Sequence, residues 1–134
     1  MFVYTIPGDP VALARARFGN RRVWDSQKNI KVNTGIILQS QHGKQPLYTG
    51  PLHLDVIFYM PIASSHSAKK KEQLSDAYHF SKPDLDNLIK FILDTAHGII
   101  FANDCIVSSL CAKKVYSLES KTEFYIRELN ERKK

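Results

Sequence analysis

An α+β fold is predicted: a single domain with a mixed β-sheet of about four strands and two main helices packed on one face. Three observations predict it. The chain has 134 residues, the length of one domain with one core. Apolar residues recur every second position in four stretches and at helical spacing in two. The order of these stretches, β-α-β-loop-α-β-β, puts the helices on one side of a sheet. Hydrophobic residues make up 43% of the chain, which fits a folded protein and argues against disorder. No apolar run is long enough to span a bilayer, so no membrane partner is expected. The N-terminus lacks a basic segment and a cleavage site, which points to a strand and to a cytoplasmic protein.

Residues 2–6 alternate and form the first strand, ended by Gly8-Asp9-Pro10. Arg15, Arg17, Arg21 and Arg22 follow around the turn signal Gly19-Asn20. On an extended segment Arg15 and Arg17 face one side and suit phosphate contact; a solvated loop is the bland alternative. A helix opens at Asp25 or Ser26 as N-cap, carries Ile30, Thr34, Ile37 and Leu38 on one face, has Gly35 as a weak point and closes at Gly43. Leu52, Leu54, Val56, Phe58 and Met60 alternate with His53, Asp55, Ile57 and Tyr59, a strand buried on one face. Residues 61–80 form a long polar loop, with one or two helical turns expected at 72–78. Its Lys69-Lys70-Lys71 either guides DNA or is simply solvated. A second helix spans about 86–97, with Leu85, Leu88, Ile89, Ile92 and Ala96 on one face and Gly98 after its end. Asp94 on its polar face reads as a helix-face or subunit contact. Strands at 105–116 and 122–129 and a frayed basic tail at 130–134 complete the domain. Cys105 and Cys111, the two cysteines, read as small buried thiols.

Chemistry concentrates in Lys82-Pro83-Asp84-Leu85-Asp86-Asn87-Leu88-Ile89-Lys90, directly before the apolar run of the second helix. A residue before proline is driven to extended backbone, and Asp84 or Asp86 can then serve as N-cap. With the chain extended through Asp84 and helical at Asp86, the two carboxylates share a side, and Lys90 rises one turn further along. Two close carboxylates repel, so a cation stabilises them, and hard oxygen ligands suit magnesium or manganese, not zinc. The bland alternative is a helix N-terminus with favourable acids and a solvated lysine. Asp104 weighs against it. A return through 98–101 can bring Asp104 near Asp84 and Asp86, giving three carboxylates beside Lys90, an arrangement that holds magnesium against a phosphodiester. The net charge of +6 favours a polyanionic partner. The five histidines form no spaced zinc-ligand pair, and there is no Gly-rich phosphate loop.

On these residues the chain resembles the RusA-like family of Holliday-junction resolvases. The resemblance is carried by the run from Lys82 to Lys90, by Leu93-Asp94 and Gly98, by Asn103-Asp104-Cys105-Ile106-Val107 and by Lys113-Lys114. Gly8-x-Pro10, Arg15-x-Arg17 and Val23-Trp24-Asp25-Ser26-Gln27-Lys28 extend it towards the N-terminus. It implies a small homodimeric endonuclease, dependent on Mg2+ with Mn2+ as an alternative, that resolves four-way or other branched DNA by paired nicks in recombination and repair. Asp84, Asp86 and Asp104 would hold the metal, and Lys90 would serve the catalytic site. DNA contact is expected at Arg15, Arg17, Lys69, Lys70, Lys71 and Lys82. Two positions depart from the family pattern: Asn103 stands where many members carry an aspartate, and Pro83 where some carry arginine. The competing expectation is a non-catalytic branched-DNA-binding protein keeping the same fold.

Overall fold

Every second residue from Leu52 to Met60 is buried, and the residues between them are half-buried. That pattern needs a sheet covered on one face only, which the computed structural model supplies. It describes residues 2–14, 17–19, 22–24 and 26–129. In chain order the elements are β1 (Phe2–Pro7), β2 (Arg17–Gly19), β3 (Arg22–Trp24), α1 (Lys28–His42), β4 (Leu52–Pro61), α2 (Ala68–Leu74), α3 (Leu85–Ala96), β5 (Val107–Ser117) and β6 (Lys121–Glu128). The main sheet has the order β1-β6-β4-β5, and β2 pairs with β3 in a separate hairpin. β6 runs antiparallel to β1 and β4, whereas β5 runs parallel to β4, so the sheet is mixed. Leu38 of α1 and Leu88, Phe91, Ile92 and Ala96 of α3 pack on Tyr4, Leu54, Phe58, Phe124 and Ile126 of the sheet. The α+β architecture expected from the alternation is therefore the one formed.

Details of the core explain local sequence choices. The Tyr4 hydroxyl lies 2.7 Å from His42 Nδ1, and His42 Nε2 lies 3.1 Å from the Pro46 carbonyl. A carbonyl only accepts, so Nε2 carries the proton and Nδ1 accepts from Tyr4. Burial pushes the Tyr4 phenol well above its usual range. Gly35 is buried where α1 crosses the chain after α3; a Cβ there would sit 3.0 Å from Ile99 Cδ1. The helix-weakening glycine is thus a close-packing residue. Asp94 Oδ2 pairs with Lys31 Nζ at 3.0 Å, tying α3 to α1.

Several boundaries differ from expectation. α1 begins at Lys28 with Gln27 at the N-cap position, and Asp25 lies outside the described residues. The 61–80 segment is not structureless: α2 starts at Ala68, earlier than 72, because extended Ser67 accepts a hydrogen bond from Lys70 N. Lys69, Lys70 and Lys71 therefore sit on a helix that buries no residue. β5 begins at Val107, since 104–106 form a 3-10 turn in which Asn103 Oδ1 accepts from Cys105 N. Both cysteines are exposed free thiols, not buried ones. Cys105 belongs to that turn, and Cys111 lies on an edge strand whose residues 108–111 are all exposed.

Parallel strands need a crossover, and α3 lies in the one joining β4 to β5. α3 starts over the far end of β5 and finishes near the start of β4. The chain then turns back on itself, with Ile100 N bonded to Ala96 O, Gly98 N to Phe101 O, and Tyr48 N to Ile100 O. Among the described residues no helix is long and apolar enough to cross a membrane.

Candidate functional site

The segment entering α3 is pinned before it reaches the acids. Asp76 N donates to Tyr116 O, Tyr116 N to Ala77 O and His79 N to Lys114 O, all at 2.8–3.0 Å. Residues 76–79 thereby cover the outer edge of β5, an edge that otherwise presents unpaired backbone groups. Lys114 then reaches over this segment. Its Nζ donates to the carbonyls of Ser81 and Pro83, each at 2.6 Å. The ammonium closes the last residues before α3 onto the sheet.

Asp84 is the N-cap residue, extended at φ −71° and ψ 142°, yet its side chain makes no capping bond. An N-cap aspartate normally accepts from the N–H groups of the first turn, worth about 1 kcal/mol. Here Oδ1 instead lies 3.0 Å from Lys82 Nζ, and the carboxylate is exposed. Asp86, in the first turn, is exposed as well. Its Oδ1 accepts from Asn87 N at 2.9 Å, and its Oδ2 lies 4.0 Å from Lys90 Nζ. The helix begins one residue earlier than expected, at Leu85. The result is two hard carboxylates at the positive end of α3, flanked by two ammonium groups and open to solvent. This donor set fits a magnesium-like cation in kind, but two carboxylates alone leave most of its coordination to other ligands.

Asp104 does not join them within the chain. Among the described residues no three His, Cys, Asp or Glu side chains stand close enough to hold one ion. The crossover explains why. Lys114, which holds the Asp84 end of α3, pairs with Phe58 near the end of β4, whereas Val107, just after Asp104, pairs with Leu52 at its start. Seven strand residues separate those rows by roughly 20 Å, and the twelve residues of α3 rise roughly 18 Å between its ends. The 98–101 segment was expected to return extended; it is a tight turn with Gly98 at φ +79°. The chain comes back along β5, carrying Lys114 to the Asp84 end of α3 and leaving Asp104 at the opposite end.

Of the expected DNA-contacting residues, Arg15 lies outside the described residues and Arg17 opens β2. Lys69 and Lys70 are exposed on α2, Lys71 is half-buried, and Lys82 is exposed beside Asp84. Sequence reasoning missed the clamp by Lys114 and the buried His79 beneath it. Lys114 was visible only as part of a basic strand end, and its acceptors are carbonyls, which no side-chain pattern reveals.

A second polar group lies on the uncovered face of the sheet. His53 Nδ1 is 2.9 Å from Ser109 Oγ, and His53 Nε2 is 3.9 Å from Asp55 Oδ2. These are the residue types of a nucleophilic triad, but 3.9 Å is beyond hydrogen-bond range, and Asp55 already accepts from the Tyr125 hydroxyl at 2.7 Å. The group is a set of cross-strand polar pairs on neighbouring strands.

The family described as Endodeoxyribonuclease RusA matches residues 7–127. YqaN, an uncharacterized protein of Bacillus subtilis (strain 168), is 35% identical over 136 residues, covering 95% of this chain and 96% of that protein. A match from the end of the first strand to the last strand spans the sheet, the crossover and both acid-bearing ends of α3, and the chain therefore belongs to the RusA endodeoxyribonuclease family.

Proposed function

We propose that this protein is a divalent-metal-dependent endonuclease that resolves four-way DNA junctions by paired nicks, acting as a homodimer in cytoplasmic DNA recombination and repair. Family membership supports DNA cleavage. The observation that carries the reading is the Asp84 carboxylate, held at an N-cap without capping and set beside Asp86, Lys82 and Lys90. A protein that only binds DNA gains nothing from paired acids facing phosphates.

The donor chemistry calls for Mg2+, with Mn2+ as an alternative. Asp84 and Asp86 would hold it, completed by Asp104 from a second copy, since one chain keeps Asp104 at the other end of α3. When bound, such an ion lowers the pKa of a water and polarises the phosphate. Lys90 lies on the same helical face and can offset charge developing on the phosphate. Lys114 acts through the Ser81 and Pro83 carbonyls to fix where Asp84 sits. Arg15, Arg17, Lys69, Lys70, Lys71 and Lys82 would contact the backbone of the incoming strands, so affinity should fall steeply with salt.

The test is nicking of a synthetic four-way junction with and without magnesium. The wild-type protein should cut in magnesium only, and Asp86→Asn should bind the junction normally yet not cut. A wild-type protein that binds junctions in magnesium and never cuts them would assign the fold to a non-catalytic binding role instead.

A further inference from the structure

Three features beside the acid pair have no part in hydrolysis. The first is a cavity of about 630 Å³ between the end of β4 and the segment leading into α3. Its walls include Pro61, Ile62, Ser64, Ser81 and Tyr116, and its rim includes Lys82. Its lining mixes apolar side chains with polar ones, Asp9 and His66 among them, and its size falls within the roughly 300–1,000 Å³ of small-ligand sites. The second is a pair of outward aromatics on the pinned segment: Phe80 is 85% exposed and Tyr78 71%. Phe80 does not itself line the cavity, but its ring stands edge-on at 6.4 Å to Tyr116, which does, and its chain neighbours His79 and Ser81 line it too. The third is His79, which also lines the cavity. It is buried, its Nδ1 has no hydrogen-bond partner among the described residues, and its Nε2 lies 3.3 Å from Ser81 Oγ.

We propose that this cavity receives an unstacked nucleobase of the junction next to the cleaved phosphate, with Phe80 as the stacking surface. The proposal rests on the endonuclease reading and adds how the enzyme holds its substrate. The placement follows from Lys82, which lines the cavity and also bonds Asp84 at 3.0 Å. A strand whose phosphate sits at Asp84 and Asp86 therefore runs past the mouth, and the next base lies over it. When a bound protein holds the arms of a four-way junction apart, the bases at the crossover stack on one side only, which lowers the cost of extruding one. An exposed ring on a backbone-pinned segment suits stacking with any base, and Ser64, Ser81 and His79 offer hydrogen bonds to its edge. Neutral His79 can donate from one nitrogen and accept at the other.

The experiment uses the full-length Asp86→Asn protein, to prevent cutting, and junctions carrying 2-aminopurine at successive positions around the crossover. Fluorescence at one position should rise on binding. Phe80→Ala should lose that rise and weaken junction binding roughly tenfold, Phe80→Trp should restore binding, and Ser64→Trp, which fills the cavity, should lose the rise with Phe80 intact. Tight binding with no rise at any position, or a rise that survives both Phe80→Ala and Ser64→Trp, overturns the base pocket and leaves the endonuclease reading standing. Failure of the Asp86→Asn protein to bind junctions at all would overturn both. Light scattering of Phe80→Ala supplies the remaining outcome: a halved mass would assign Phe80 to contact with a second copy and overturn the stacking role.

Discussion

His79 is the residue at which burial and charge combine most clearly. Desolvation lowers its pKa from the usual 6.5, and the nearby Lys114 ammonium lowers it further. The folded protein therefore binds fewer protons than the unfolded chain between the lowered pKa and 6.5. Its contribution to stability is whole above about 6.5 and is lost as the pH falls from there through the folded pKa. The wild-type melting temperature should drop more between about pH 7.5 and pH 5.5 than that of His79→Gln, which keeps a polar group but cannot titrate. Equal drops would show that the ring is already solvated. The two proteins differ only at position 79, so the difference isolates this ring. Residue types alone singled out Asp84, Asp86 and Lys90 as candidates. They did not identify that Asp84 leaves its capping bond unmade, because capping depends on side-chain rotation, which the sequence does not encode directly.

At the scale of elements, the site depends on an edge strand holding a loop. β5 contributes Lys114, and the 76–83 segment contributes the carbonyls that Lys114 binds. Lys114→Met keeps the apolar stem and removes both hydrogen bonds. Its effect on urea stability should be about 1 kcal/mol, whereas a misplacement of Asp84 by even an ångström should slow single-turnover nicking by roughly a hundredfold. Junction affinity should change little. An unchanged nicking rate would show that α3 positions Asp84 unaided. The same comparison shows which elements the sequence discloses. β4 and α3 bury one face each, so their periodicity is plain. α2 buries nothing, so it leaves no apolar rhythm, and only the Ser67 cap marks its start. Cys111 alternates as a core residue should, yet it stands on an exposed stretch of strand. Alternation reports which residues share a face, not which face is covered.

For the whole molecule, the controlling fact is the parallel crossover. A helix connecting parallel strands runs opposite to them, so its two ends lie at opposite ends of the sheet. The sequence places Asp86 and Asp104 only eighteen positions apart, and that closeness is misleading because the β4–β5 pairing fixes where the chain must re-enter the sheet. In the proposed three-acid centre two copies would each lend Asp104 to the other, a self-complementary exchange of the kind two-fold dimers permit. Mixing two inactive proteins tests this directly. In a heterodimer of Asp86→Asn with Asp104→Asn, one site carries both substitutions and the other carries neither. Each variant alone should fail to nick the junction. The mixture, after subunit exchange, should recover nicking at one strand per junction, with up to half the dimers competent at equal concentrations. If the mixture stays inactive while light scattering shows dimers that exchange, the acids do not meet across the interface, and Asp104 has no share in holding the metal.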